Sequence, residues 1–497
     1  MIGSETILGE SSMHRSEGDT MAVARLKFFD KDEEELVHEQ SLRCLERIGV
    51  MVKSESVLKM LERAGATVDY RKGVAKLSEN MVMEAVKRAP KRIKLGARDP
   101  KHDKEIPVET YPLMATNGLA VYTYDLETGK PRPSTNKDLA NFSKVADAMK
   151  GVDICWTTVT AGDVPQEALA LNSLWTVLQN NTKHIHVVPA THGAEDARKQ
   201  VELASLVAGG PEQLRKKPIF SVISCSIAPL CFEKAEIEAQ AEFAKAGIPV
   251  ISMSMSISGL SSPVTMAGTL ENINAENLAS LVISQTSSPG APFVYSSESA
   301  PMDMMTGVMD YNAYHLPLIS AGATQMAKRY GLPCLTSSWG FETKEPGIQE
   351  SLSECMGVML NTFSGSDMMS GAGSLDHAKG AGLEQLVLDS FVWEDIRTYM
   401  HKFLVSKDTI ALDVIDAVGH GGTFLKHPHT IRNFRGEMLP RDQGKRHWQA
   451  TLSTSMTKET REIARQILKE HRVEPLPADL LKKGNVLVKE YERAVAR

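Results

Sequence analysis

Ile219-Phe220-Ser221-Val222-Ile223, then a helical segment, then Ala246-Gly247-Ile248-Pro249 leading into Val250-Ile251: residues 219–251 hold one period of the pattern that decides the fold. An apolar run of this length suits a buried strand, and the Gly-x-Pro step ends a helix and starts the next extended segment. The period recurs in both directions. Short apolar runs stand at Ile154-Cys155-Trp156, His186-Val187-Val188, Phe293-Val294-Tyr295 and Cys334-Leu335, the last preceded by Gly331-Leu332-Pro333. Asp367-Met368-Met369 supplies the last strand, and residues 304–309 are read as one more, bringing the count to eight. Alternating units of this number predict an α/β fold closed into a (β/α)8 TIM barrel. An open doubly wound sheet would want a Gly-rich phosphate loop after its first strand, and neither G-x-G-x-x-G nor a Walker pattern occurs.

Working outward, residues 21–111 read as a helical N-terminal region. Leu36, Leu42, Leu45 and Ile48 recur at helical steps, Ser54 and Ser78 stand as N-caps, and Gly65 closes the second segment. Residues 112–389 form the barrel with an added hairpin, Ala120-Val121-Tyr122-Thr123-Tyr124 followed by the turn residues Leu126-Glu127-Thr128-Gly129. Residues 390–497 return to helices, ending with 464–471 and 480–494, and are expected to wrap the barrel, whereas 1–20 read as a disordered tail.

Composition excludes several classes. Of the 497 residues, 42% are apolar and 24% charged, which suits a folded globular chain. The net charge is -6 and no basic run could track a phosphate backbone, so no nucleic acid partner is expected. The longest uncharged stretch, residues 248–270, is rich in Ser and broken by Gly259 and Pro263, so it reads as a buried strand and loop rather than a membrane span. The polar start lacks the layout of a secretion signal, and a cytoplasmic location is expected. Cys44, Cys155, Cys225, Cys231, Cys334 and Cys355 are scattered without a C-x-x-C pair, so they read as reduced thiols and no metal is expected.

In such a barrel the chemistry sits at the C-terminal ends of the strands. Those positions are crowded with small hydroxyl residues: Thr157-Thr158, Ser224-Cys225-Ser226, Ser252 through Ser256, Ser296-Ser297-Glu298-Ser299 and Thr336-Ser337-Ser338. Proton chemistry is offered by His192, Glu298, Glu342, Lys344, Asp376 and His377 alone, none in a recognisable dyad, which predicts a roomy, neutral floor. Hydrogen-bonded structural roles serve His192 and Glu298 equally well. Aromatic candidates are Trp156, Tyr295, Trp339 and Phe341, with Gly340 leaving room for close approach. Ring faces hold a trimethylammonium group by cation–π attraction of roughly 0.5–2 kcal/mol each. Plain packing is the commoner role for strand-end aromatics.

From about residue 116 to 471 the chain resembles the trimethylamine methyltransferase family. The resemblance rests on Thr116-Asn117-Gly118, on Asp125 with Thr128-Gly129 and Arg132, on the stretch from Gly371 through Leu383-Glu384-Gln385-Leu386-Val387-Leu388-Asp389, and on Gly421-Gly422-Thr423-Phe424-Leu425 with His427-Pro428-His429-Thr430. It implies a (β/α)8 barrel that methylates cobalt(I) in a cobalamin (corrinoid) carried by a partner protein. The trimethylamine enzymes carry pyrrolysine in the pocket; the matching loop here, residues 337–344, has only standard residues. A tertiary amine needs activation to release a methyl group, but a quaternary ammonium leaves as a neutral amine, so the resemblance points to glycine betaine first, then proline betaine or carnitine. No D-x-H-x-x-G signature of a corrinoid domain occurs, so a separate corrinoid protein is the expected partner, and homo-oligomer formation stays open.

Two other classes stay open. A cofactor-free lyase would need a Schiff-base lysine or paired carboxylates, for which Lys344 is the one rim lysine. A non-catalytic betaine-binding protein would need no docking face.

Overall fold

The computed structural model describes residues 20–22, 25–189, 191–311, 313–338, 344–400, 403–438 and 456–495. The N-terminal region opens with α1 (Lys31–Arg47), α2 (Glu55–Arg63) and α3 (Glu79–Arg88). Each begins where a side chain can satisfy free backbone donors: Asp30 forms a capping box with Glu33, Ser54 accepts from the Val57 amide and Ser78 from that of Met81. The region is not purely helical, however. Strands Val50–Val52, Thr67–Asp69 and Val74–Lys76 join Cys231–Phe232 in a four-stranded sheet. A hairpin of Ile93–Leu95 and Lys104–Ile106 places Ile93, Leu95 and Ile106 against the barrel interior.

The barrel is built from β1 (Leu113–Thr116), β2 (Ile154–Trp156), β3 (His184–Val187), β4 (Phe220–Cys225), β5 (Val250–Ser254), β6 (Phe293–Ser297), β7 (Cys334–Ser338) and β8 (Met368–Ala372). They are parallel neighbours in chain order, and β8 pairs back to β1, which closes the (β/α)8 barrel. After them run α4 (Asn136–Ala148), α5 (Leu169–Asn180), α6 (Ala194–Ala208), α7 (Lys234–Ala246), α8 (Met266–Ser287), α9 (His315–Arg329), α10 (Ile348–Ser364) and α11 (Leu383–Arg397). Strands covered on both faces need apolar residues on both, which is why the runs show no alternation. Cys155, Ile185, Phe220, Val222 and Phe293 face the helices; Ile154, Trp156, Ile223, Ile251, Met253, Val294, Leu335 and Met368 fill the interior.

One strand is not where the sequence suggests. Residues 304–308 lie in an exposed turn, with the Met305 and Thr306 amides bonded to the Asp303 carboxylate and Met305 96% exposed, and Met309 after it is buried and bridges back to Met302. The missing strand is Leu113–Thr116, a four-residue run directly after Pro112. The hairpin after it forms as expected, Tyr122–Tyr124 pairing antiparallel with Pro131–Pro133.

At the C-terminal end, α12 (Met456–Glu470) and α13 (Ala478–Val495) pack outside the barrel. Arg461 holds buried Glu384 of α11 at 2.9 Å, and Trp175 of α5 donates to Asn485 at 2.8 Å. Gly484 is required where α13 crosses the Trp175 indole, because a Cβ there would stand 2.4 Å from the ring. Among the described residues no helix is long and apolar enough to cross a membrane.

Candidate active site

The floor of the barrel mouth is set by the inner-face residues that end β2 and β3. Trp156 is 4% exposed and, like Val188, lies against the backbone of Gly118, where an added Cβ would come within 2.9 Å of both side chains. The His186 ring is 5.6 Å from the Trp156 ring.

Above this floor the mouth is acidic on one side. Cys225, at the inner end of β4, is surrounded by the carboxylates of Glu236, Glu298 and Glu276, and burial together with their charge drives its thiol upward. Glu236, in the first turn of α7, bonds Ser224 and the amides of Thr191 and Cys225, yet burial pushes its carboxyl up to about 7. Glu298, just past β6, is likewise pushed up to about 7 by burial, against a hydrogen bond from Tyr311. Glu276, inside α8, plays a different part. It accepts from Ser254 at 2.7 Å, from the Leu230 amide at 2.8 Å and from Asn272 at 3.1 Å, so it ties the loop after β4 to the end of β5.

The loop after β8 stores strain. Asp376, His377 and Ala378 are three consecutive residues with φ of 47°, 55° and 61°, a left-handed path that costs each of them steric energy. Their short hairpin, Ser374–Leu375 against Gly380–Ala381, and a 2.9 Å bond from Tyr122 to Asp376 impose it. The result brings His377 to 6.4 Å from the Tyr311 ring, with its buried Nδ1 lacking a partner among the described residues.

Of the residues singled out from sequence, the structure links Glu298 and His377 through Tyr311, and it places Trp156 on the inner face of β2. It separates others. Tyr295 points outward from β6 into the helix layer, fully buried with its hydroxyl 3.3 Å from Asn274, and so faces away from the barrel interior. His192 is exposed, using its backbone amide to bond Asp196, and Lys344 is exposed as well. Trp339, Gly340 and Phe341, with Glu342, fall outside the described residues. Nor is the mouth neutral, since Glu236 enters it from a helix. That acid was illegible because a carboxylate in a first helical turn reads as a solvated cap residue. Glu276 did leave a signal, one of two acids, with Glu271, in a helix that carries no basic residue and buries Leu270, Ile273, Leu278 and Leu281. The rim hydroxyls turn out to stitch strand ends together: Ser299 accepts from the Ser256 amide and bonds the Ser254 carbonyl, 2.9 and 3.1 Å away.

Comparison with known proteins gives this mouth a context. A family model described as trimethylamine methyltransferase (MTTB) matches residues 9–489. The trimethylamine methyltransferase of Desulfitobacterium hafniense is 30% identical over 467 residues, covering 93% of this chain and 94% of that protein. The glycine betaine methyltransferase of the same species is 29% identical over 417 residues, covering 84% and 86%. The crystal structure of the Methanosarcina barkeri monomethylamine methyltransferase superposes with a TM-score of 0.53 at 11% identity, covering 90% of this chain and 91% of that one, a likeness of fold. With nearly its whole length matched, the chain belongs to the trimethylamine methyltransferase family.

Proposed function

We propose that the chain moves a methyl group from a small quaternary amine, glycine betaine first, to the cob(I)amide of a separate corrinoid protein that docks on the open end of the barrel. The observation that carries this reading is the acidic wall: Glu236 and Glu298, both held near neutrality by burial, flank the inward end of β4. A quaternary ammonium cannot donate a proton to either carboxylate, but its fixed charge favours their ionised form. The relative named for glycine betaine supports the choice of donor.

The reaction is an in-line displacement. Cobalt(I) supplies the electron pair of the new cobalt–carbon bond, the carbon–nitrogen pair stays on nitrogen, and dimethylglycine leaves when glycine betaine is the donor. No proton moves at the reacting atoms. The chain's own residues then have two tasks, neutralising the bound cation through Glu236 and Glu298 and keeping one N-methyl aligned above the Trp156 floor, a proximity effect. As the amine loses its charge the acidic wall loses its hold, which favours release of product.

The test is anaerobic incubation with free cob(I)alamin and glycine betaine, reading methylcobalamin by absorbance, with trimethylamine as control. Methylation by the quaternary amine and none by trimethylamine is expected. Turnover of trimethylamine with no quaternary donor accepted would overturn the reading.

A further inference from the structure

Three buried nitrogen groups on one level of the barrel floor have no partner among the described residues: Asn117 Nδ2, Trp156 Nε1 and His186 Nε2, in residues 3%, 4% and 0% exposed. Register places them together. Trp156 lies opposite His186, and Ala115 opposite Ile154, so Asn117, two residues beyond Ala115, comes level with Trp156. A buried polar atom left unpaired is costly, and three on one level of a barrel mouth call for an occupant.

The proton positions follow from the neighbouring bonds. His184 Nδ1 faces the Gly96 carbonyl at 2.7 Å, which can only accept, so Nδ1 carries the proton. Burial pushes His184 down to about 4, so the ring is neutral and its Nε2 is a bare acceptor. The Ser221 hydroxyl, 2.8 Å away, must give its one proton to that atom. Its oxygen then accepts from His186 Nδ1, with which it is also in contact. Burial holds His186 neutral too, so its Nε2 presents a lone pair. The floor thus offers one acceptor, His186 Nε2, beside two donors, Trp156 Nε1 and Asn117 Nδ2.

We infer that this floor is a hydroxyl-recognition subsite: one O–H donates to His186 Nε2 while its oxygen accepts from Trp156 Nε1, with Asn117 Nδ2 as the second donor. A carboxylate does not fit, because its lone pairs would oppose that of His186, and an N-methyl group satisfies none of the three. The hydroxyl comes either from a retained water or from the methyl donor itself; in the second case the donors are hydroxylated quaternary amines. That second case rests on the function proposed above, whereas the subsite does not.

The experiment is calorimetric titration of the full chain with 3-hydroxy-4-trimethylammoniobutanoate and with its deoxy analogue, together with a water-resolving crystal structure of the free and amine-bound protein. If the donor supplies the hydroxyl, the hydroxylated amine binds about ten- to a hundredfold tighter. That ratio falls towards one in His186→Phe, and also in Ser221→Ala, where His186 is free to move its proton to Nε2. The ratio is read within each protein, so a general loss of affinity does not imitate the effect. If water is the source, the two amines bind alike and an oxygen bridges Trp156 Nε1 and His186 Nε2 in both crystals. The inference is overturned if no oxygen reaches His186 Nε2 in either crystal, or if a side chain of the protein fills the place. Failure of both amines to bind, with the bridging water present, would instead count against the proposed function alone.

Discussion

Donor binding should tighten as pH rises through neutrality. Glu236 and Glu298 are both held up to about 7 by burial, so in the free protein each is largely protonated at about pH 6 and ionised at about pH 8. A fixed cation binds the ionised form. For one such group the apparent Kd carries a factor of one plus the ratio of protonated to ionised carboxyl, about 11 at pH 6 and about 1.1 at pH 8. Affinity for glycine betaine therefore rises about tenfold over that interval if one carboxylate faces the cation, and about a hundredfold if both do. Returning one carboxyl from about 7 to an ordinary value of about 4.3 would correspond to at most 3–4 kcal/mol; partial solvation of Glu298 brings the expected share to about 1–2. Glu298→Gln should accordingly weaken binding at about pH 8 by roughly five- to thirtyfold and remove one power of ten from the pH dependence. Calorimetry in two buffers of different ionisation enthalpy reads both the affinity and the protons released. Equal affinity at the two pH values in folded protein, or an unchanged slope in Glu298→Gln, would refute the electrostatic argument.

The same carboxyls should lower the stability of the unliganded protein. Each keeps its proton to a higher pH when folded than when unfolded, so stability is full below about pH 4.3 and is lost as pH climbs to about 7. Glu236→Gln and Glu298→Gln should therefore raise Tm at about pH 8 and leave it unchanged at about pH 4.5; thermal melts showing the reverse order would contradict the assignment. Gly118→Ala places a methyl 2.9 Å from both Trp156 and Val188 and should cost about 1–3 kcal/mol, partly restored by Val188→Ala. Urea denaturation with no change in the single variant would show that the floor is looser than described. Lys183, 4% exposed, gives its ammonium to the carbonyls of Ala146, Met149 and Val152, each at 2.7 Å, so Lys183→Met should cost about 3 kcal/mol or more by leaving three buried acceptors bare. A loss below about 1 kcal/mol in the same assay would mean that water replaces it.

Much of the barrel was legible because its strands are buried on both faces and its helices end in Gly-x-Pro steps. All seven of these expected runs overlap β2 to β8, and the one on β3 begins two residues late. That displacement has a cause. His184 and His186 sit on the inner face, and polar residues there break the apolar run at the point where the strand begins. The eighth strand failed for a different reason: Leu113-Met114-Ala115-Thr116 is short and lies among Pro107, Pro112 and Gly118, while the methionines of 302–309 imitate an apolar run but flank an Asp303 turn. The small sheet of the N-terminal region was invisible because strands of two or three residues carry no period.

The site was harder to read, and Trp156 against Tyr295 shows why. Both are aromatic, both stand in apolar strands and both are buried, so composition and spacing give them equal claims on the substrate. They differ in parity. Trp156 shares its face with Ile154 and looks inward, whereas Tyr295 lies one residue from inward-facing Val294 and looks into the helices. In a half-buried strand the polar residues would reveal that parity, but in a doubly covered strand the sequence is apolar at every position and the phase is lost. The same loss hides Glu236, which reaches the mouth from a helix whose rotation about the barrel sets which of its faces meets it. What sequence does carry is the polar residue on an inner face, since only a partner or a ligand makes it tolerable there. His184 and His186 are such residues, and His186, for which no described residue serves as partner at Nε2, marks the floor that the aromatic pattern could not locate.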